Sequence, residues 1–150
     1  MGKLGGQASA EVDAPIETVY KLLEDVETAP EWQSGLDGLE ALSRDAEGRA
    51  ERCESVTDIK VRKVKTIVRF SYEPPTAVRW VQEKGDLNSV VGSWELEDLG
   101  GDRTKVTYNL EADPGRMIGM LIRGPVEGVV RGVLVNGRPG EIKEWAEKSG

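Results

Sequence analysis

The chain has no histidine and a single cysteine, Cys53, among its 150 residues. Without histidine, neither a Ser-His-Asp nor a Cys-His catalytic set can form, and a His-ligated zinc or haem is excluded. One cysteine cannot form an internal disulfide or a cysteine-rich metal site, and a lone reduced thiol is typical of the cytosol. We therefore expect no metal, no cofactor and a cytoplasmic location.

Long apolar runs and an excess of positive charge are also lacking. No stretch approaches the roughly 20 apolar residues of a membrane-spanning helix, and residues 1–6 lack the apolar core of a signal peptide. The net charge is −7, opposite in sign to that of a typical duplex nucleic-acid binder. We expect neither stable membrane insertion nor nucleic-acid binding, while transient contact with a membrane stays open.

The sequence does contain an ordered series of helix and strand signals, which we interpret as one domain over residues 1–150 with a flexible leader at 1–6. Apolar residues alternate with polar ones over 8–12, which predicts a strand. Two short helices follow, the first with an apolar stripe at Ile16, Val19, Tyr20 and Leu23. Six more strands are predicted at about 36–44, 49–60, 62–73, 77–84, 88–98 and 103–112, and helix from about residue 116 onward.

Alternation in these strands indicates an antiparallel sheet with one buried face. Seven strands cannot bury that face against two short helices, so the long C-terminal helix must lie across its concave side. The predicted fold is α+β: a curved seven-stranded antiparallel sheet wrapped around a long C-terminal helix, with two short helices between strands 1 and 2. Gly124-Pro125 and Gly137-Arg138-Pro139-Gly140 predict breaks or kinks in the long helix.

Several segments carry a family resemblance. They are residues 12–25, Pro30-Glu31-Trp32, Val78-Arg79-Trp80, residues 85–96, Thr104–Tyr108 and Asp113-Pro114-Gly115. In these segments the chain resembles the START-like helix-grip superfamily, often called SRPBCC, and within it the bacterial polyketide cyclase/dehydrase and coenzyme Q-binding branch. The resemblance implies a hydrophobic cavity between sheet and C-terminal helix, with lipids, isoprenoid quinones or polyketides as ligands.

The leading hypothesis is non-covalent binding of a hydrophobic small molecule in this cavity, as a carrier, chaperone or sensor. Glycines at 124, 128 and 132 follow one side of the helix. They would suit either a gate or close helix pairing, so a monomer and a homodimer both stay open. The predicted cavity wall consists of Trp32, Val68, Phe70, Tyr72, Trp80, Val90, Trp94, Tyr108, Met117, Leu121, Val129 and Val133.

An alternative hypothesis is a polyketide cyclase or dehydratase that works without histidine. Tyr72, Tyr108 and Glu83 are its candidates for proton transfer. Their simpler interpretation is structural, with tyrosine hydroxyls bonded to backbone and Glu83 solvated. A third hypothesis is an interaction subunit with a filled core. A tyrosine and a carboxylate converging inside a cavity would favour the enzyme, whereas a core without a cavity would favour the interaction subunit.

Two other features have open interpretations. The apolar cluster at residues 117–122 is either a lid over the cavity or packing against the sheet edge. The basic residues between 60 and 69 either meet an anionic head group or form a solvated hairpin face.

Overall fold

The computed structural model describes residues 4–60, 62–122 and 125–149, without the side chains of residues 4, 125, 126, 133 and 149. Seven strands form one antiparallel sheet in the order β1-β7-β6-β5-β4-β3-β2. Their bounds are β1 Leu4–Val12, β2 Leu36–Arg44, β3 Ala50–Asp58, β4 Lys63–Glu73, β5 Ala77–Gly85, β6 Ser89–Gly100 and β7 Arg103–Asp113.

Helices cover the inner face of this sheet. Two short helices connect β1 to β2, and the remaining helical segments follow β7. This arrangement confirms the predicted α+β helix-grip fold. The segments are α1 Ile16–Glu24, a 3₁₀ helix Val26–Glu31, α2 Gly115–Leu121, α3 Pro125–Arg131, a π-helical segment Gly132–Asn136 and α4 Arg138–Ser149.

The first strand is longer than the sequence predicts. β1 begins at Leu4, which pairs with Ala112, so residues 4–6 of the predicted leader belong to the sheet. Residues 1–3 of that leader lie outside the described residues. Gly5 lies directly against the Leu110 carbonyl oxygen, in space that a Cβ atom would occupy. Glycine permits this close backbone approach, and its lack of a side chain also removed the alternation that predicts a strand.

The C-terminal helix is segmented close to both predicted breaks, with boundaries between Leu121 and Pro125 and between Asn136 and Arg138. α3 begins at Pro125, and the two residues before it lie outside the described residues. At 137–140 the chain continues into α4, with Pro139 in the first turn, where its missing N–H costs no hydrogen bond. The Gly137 N–H donates to the Gly132 carbonyl oxygen at 3.0 Å, a bond across five residues. Because of that wider turn, Val130 and Val135 both face the core, at 0% and 1% exposure.

The core lies between the inner face of the sheet and the helices. α1 buries Ile16, Val19, Tyr20 and Leu23, the stripe that its sequence predicts. In β4, Val64, Thr66, Val68 and Phe70 are buried while the alternating lysines and arginine are exposed, as the period of two requires. None of the described helices combines the length and hydrophobicity needed to cross a membrane.

Candidate functional site

The core contains a cavity of about 140 Å³ between the concave face of the sheet, the 3₁₀ helix and the C-terminal helices. The sheet contributes most of its wall, and Leu134 and Arg138 close it from the C-terminal side. The lining residues are Leu23, Val26, Ala29, Trp32, Gln33, Leu36, Leu39, Ser55, Thr57, Ile59, Val64, Thr66, Val68, Phe70, Val78, Trp80, Leu87, Val90, Trp94, Tyr108, Leu110, Ala112, Leu134 and Arg138.

The structure brings seven of the twelve predicted wall residues together around this cavity. Six of them belong to β4, β5, β6 and β7, where alternation specifies which side chains face inward. Trp32 is the seventh and directly follows the 3₁₀ helix. The seven are Trp32, Val68, Phe70, Trp80, Val90, Trp94 and Tyr108.

The predicted wall residues on the helices are not at the cavity. Met117, Leu121 and Val129 are 76%, 50% and 55% exposed, so the prediction that they line it is corrected. Their neighbours Ile118 and Val130 are buried instead, because one residue turns an α-helix by about 100°. The side chain of Val133, also predicted, lies outside the described residues.

The apolar cluster at 117–122 is divided by the same helical geometry. Ile118 and Ile122 are buried and pack with Ile59 and Val64 at one end of the sheet. Met120, like Met117 and Leu121, is exposed. The inward half of α2 therefore packs against the sheet, and its outward half is a solvent-exposed apolar face.

Aromatic rings form a continuous series along the cavity wall. The Trp94 ring lies 6.0 Å from Trp32 and 4.6 Å from Tyr108, measured between ring centroids. Tyr108 in turn lies 5.6 Å from Trp80, which lies 5.9 Å from Phe70. Tilted rings at these separations attract one another beyond the area they bury, so the wall is preorganised rather than loosely packed.

Gly92 explains how Trp80 reaches its place in this series. It pairs with Trp80 across β5 and β6, and the indole occupies the space of the missing Cβ atom. The tryptophan ring covers the glycine and compensates for its lack of a side chain. This position is one where β6 requires glycine for packing.

The polar end of the cavity is formed by Arg138 and Tyr108. Arg138 is 3% exposed, and its Nη1 donates to the Ser34 carbonyl oxygen at 2.7 Å and to Glu141 Oε1 at 3.0 Å. Glu141 also accepts hydrogen bonds from the backbone N–H and hydroxyl of Ser34. Burial raises the pKa of the Tyr108 hydroxyl, although the nearby Arg138 guanidinium acts in the opposite direction. Tyr108 is therefore a neutral phenol at physiological pH.

Two of the three predicted proton-transfer residues lie away from the cavity wall. The Tyr72 hydroxyl donates to the Ala50 carbonyl oxygen at 2.6 Å, and burial raises its pKa. Tyr72 is thus neither a wall residue nor a free acid. Glu83 accepts hydrogen bonds from Arg52 and, at 2.8 Å, from Arg69, and these guanidinium groups lower its pKa. Tyr108 alone of the three lines the cavity.

The basic residues of the β3–β4 hairpin are largely paired with carboxylates. Lys63 lies 3.0 Å from Asp37, and Arg69 contacts both Glu51 and Glu83. These pairs are partly exposed, where ion pairs stabilise a fold only weakly. The arrangement agrees with the interpretation of this segment as a solvated hairpin face.

Sequence reasoning missed Arg138, because it lies in a Gly-Arg-Pro-Gly run that predicts a helix break. A signal was nevertheless present. Arg138 follows Leu134 by four residues and precedes the buried Ile142 by four, a spacing that places all three on one helix face. Sequence reasoning also missed the wall residues contributed by the 3₁₀ helix and β2, namely Val26, Ala29, Leu36 and Leu39.

Comparison with known proteins gives a family and a fold. Residues 12–136 match the family described as polyketide cyclase/dehydrase and lipid transport. No curated protein matches the sequence significantly.

Among solved structures, a START superfamily protein from Mycobacterium smegmatis superposes with a TM-score of 0.83 at 19% identity, covering 99% of this chain and 100% of that one. An aromatase/cyclase from a Streptomyces species superposes at 0.74 with 14% identity, covering 98% and 95%. A conserved protein from Geobacillus kaustophilus superposes at 0.74 with 21% identity, covering 97% of both chains. At these identities the likeness shows the fold alone.

Proposed function

Because the chain belongs to the polyketide cyclase/dehydrase and lipid transport family, we propose that it binds a hydrophobic small molecule non-covalently in the cavity between the sheet and the C-terminal helices. In this role it acts as a carrier, chaperone or sensor of its ligand. The observation that carries the proposal is the cavity itself, a mainly apolar and aromatic space in the centre of the fold with a polar end at Arg138 and Tyr108. A tightly filled core would have favoured an interaction subunit instead.

The size of the cavity narrows the class of ligand. Its volume of about 140 Å³ is close to that of an engineered cavity of about 150 Å³ that binds benzene. It is below the roughly 300–1,000 Å³ that encloses a drug-sized ligand. In this conformation the protein encloses one ring, or a short segment of a lipid, isoprenoid or polyketide chain.

The alternative function, a cyclase or dehydratase of polyketide-like substrates, has one supporting observation. Tyr108 lies beside Arg138 at the cavity, and a guanidinium beside a phenol suits stabilisation of an enolate oxygen. Proton abstraction also needs a base, and none of the described Asp or Glu side chains lines the cavity. Binding without chemistry is therefore the function that the site supports better.

Native mass spectrometry of the gently purified protein, with analysis of its organic extract, tests the binding proposal. We expect a bound hydrophobic molecule, and we expect Val90→Phe to abolish its binding. Val90 is 8% exposed and lines the cavity, so the added ring would occupy the space of the ligand.

Val91→Phe is the matched control. Val91 adjoins Val90 in β6 but is 54% exposed on the opposite face, so this variant keeps the ligand. Equal ligand retention in both variants would place the ligand outside the cavity and contradict the proposal. So would the absence of any bound molecule together with failure of single-ring hydrocarbons to bind the purified protein.

A further inference from the structure

Two hydrogen-bond donors at the cavity wall lack an acceptor among the residues that the structure describes. They are the indole Nε1 of Trp32 and the guanidinium Nε of Arg138, and both atoms are buried. Arg138 Nη1 reaches the carbonyl oxygen of Ser34, two residues after Trp32. The two donors therefore belong to the end of the cavity where the 3₁₀ helix meets α4.

These two buried donors favour a ligand that carries a hydrogen-bond acceptor. A buried N–H without a partner costs free energy that an incoming acceptor recovers. Elsewhere on the wall, the hydroxyls of Ser55 and Thr66 already bond each other at 2.7 Å. The Tyr108 hydroxyl lies near the Arg138 guanidinium, but Nε of Arg138 and Nε1 of Trp32 have no hydrogen-bond partner among the described residues, so an oxygen of a ligand would satisfy both donors.

The charge of that oxygen follows from the ion pair beside it. The positive charge of Arg138 is already matched by Glu141, whose Oε1 lies 3.0 Å from Nη1. A carboxylate ligand would add a second buried negative charge opposite one guanidinium, which is costly in a site of low polarity. A neutral acceptor leaves the charges balanced.

We infer that the cavity selects a neutral ligand with a carbonyl oxygen, which accepts hydrogen bonds from Trp32 Nε1 and Arg138 Nε while the rest of the molecule lies against the aromatic wall. This inference deepens the proposed function and rests on it. It assigns Trp32 and Arg138 as the residues that orient the ligand.

The test compares cyclohexanone with methylenecyclohexane, which has nearly the same shape but a CH₂ group in place of the carbonyl oxygen. Dissociation constants are measured by calorimetry for the natural chain and for Trp32→Phe, which removes the indole donor but keeps an aromatic ring. We expect Trp32→Phe to weaken cyclohexanone binding about three- to tenfold, the usual effect of one hydrogen bond. Methylenecyclohexane makes no such bond, so its binding should weaken only by the smaller factor that the lost ring atoms cause.

Trp80→Phe is the matched control, since Trp80 also lines the cavity and loses the same ring atoms. Trp80→Phe should weaken the binding of both probes by a similar factor. A second readout is the carbonyl stretching band of bound cyclohexanone in the natural chain. Hydrogen bonding lowers its frequency relative to cyclohexanone in an alkane, and this measurement does not depend on any variant folding.

Each result has a distinct meaning. If Trp32→Phe weakens both probes equally, or if the carbonyl band is unshifted, the donor assignment is overturned while hydrophobic binding stands. Tighter binding of cyclohexanecarboxylate than of cyclohexanone would overturn the neutral ligand class. If neither neutral probe binds the natural chain, both the proposed function and this inference are wrong.

Discussion

The thiol of Cys53 lies in the middle of β3, between Ala41 of β2 and Val68 of β4, with none of its surface exposed. Burial, with a smaller contribution from the charge of Glu27, raises its pKa from 9.0 to about 11. A buried thiol with a raised pKa is a poor nucleophile. Cys53 therefore acts as a small apolar core residue, as its inward position in the strand pattern predicts.

The raised pKa makes stability depend on pH in a defined direction. The unfolded thiol releases its proton near pH 9.0 while the native thiol holds it to about pH 11. The stabilisation that the buried, protonated Cys53 thiol gives to the folded state is therefore complete below pH 9 and is lost as the pH rises through 11. We expect the stability advantage of the natural chain over Cys53→Ala to shrink by about 2 kcal/mol between pH 8 and 11.

Urea unfolding of both proteins across this pH range measures the effect. Tyr20 and Tyr108 titrate in both chains, so their contributions cancel in the difference. The pKa of Tyr72 is raised mainly by burial and in part by Cys53, so the difference also includes the coupling between these two groups. A difference in unfolding free energy that stays constant from pH 8 to 11 would show that burial does not perturb this thiol.

Glycine has opposite roles in β6 and in α3. Gly128 lies inside α3, and a Cβ atom added there meets nothing within 4 Å. Gly92 lies in β6 with the indole of Trp80 in the space of its missing side chain. The first glycine only increases the entropy of the unfolded chain, whereas the second is required by packing.

Alanine substitutions should separate these roles. Gly128→Ala should raise the free energy of unfolding by about 0.5–1 kcal/mol, and Gly92→Ala should lower it by about 1–3 kcal/mol through displacement of Trp80. Denaturant unfolding and tryptophan fluorescence measure both effects. No stabilisation by Gly128→Ala, or an unchanged Trp80 environment in Gly92→Ala, would contradict the respective assignment.

The glycine stripe as a helix gate stays a prediction. Gly128→Ala, whose added methyl group contacts nothing, tests it directly. If the loosened helix admits the ligand, this variant should slow both binding and release while leaving the dissociation constant unchanged. Stopped-flow fluorescence measures the rates of ligand binding and release. Gly124, the first glycine of the stripe, lies outside the described residues.

At the scale of the whole molecule, sheet, 3₁₀ helix and α4 together enclose about 140 Å³. If its walls do not move, a cavity of this size sets an upper limit on the size of its ligand. Along the series benzene, toluene, ethylbenzene and butylbenzene, affinity should first rise by about 0.8 kcal/mol per CH₂ group. It should fall once the cavity is full, because protein interiors resist overpacking.

Calorimetric dissociation constants for the series measure this limit. Because α2 contacts the sheet only through its inward side, at Ile118 and Ile122, hydrogen exchange of α2 is the companion measurement of wall movement. Affinity that keeps rising up to butylbenzene, with faster exchange in α2, would show that the walls open for larger ligands.

The sequence by itself determined the order of helices and strands along the chain, the inward side of the clearly alternating strands and the helix-grip fold. It could do so because side chains of a strand alternate strictly, so Val68, Phe70, Trp80 and Trp94 could only share a face. Six residues of the cavity wall in β4 to β7 were therefore predictable, whereas Leu36 and Leu39 of β2 were missed and Tyr72 was wrongly placed on the wall.

The tertiary structure decided the helical side of the site. A shift of one residue rotates a helical side chain by about 100°, which moved Met117 and Val129 to solvent and Ile118 and Val130 to the core. Leu134, within the π-helical segment, and Arg138, two residues after it, line the cavity. The volume of the cavity and its unmet donors exist only where distant segments meet, and no local pattern in the chain encodes them.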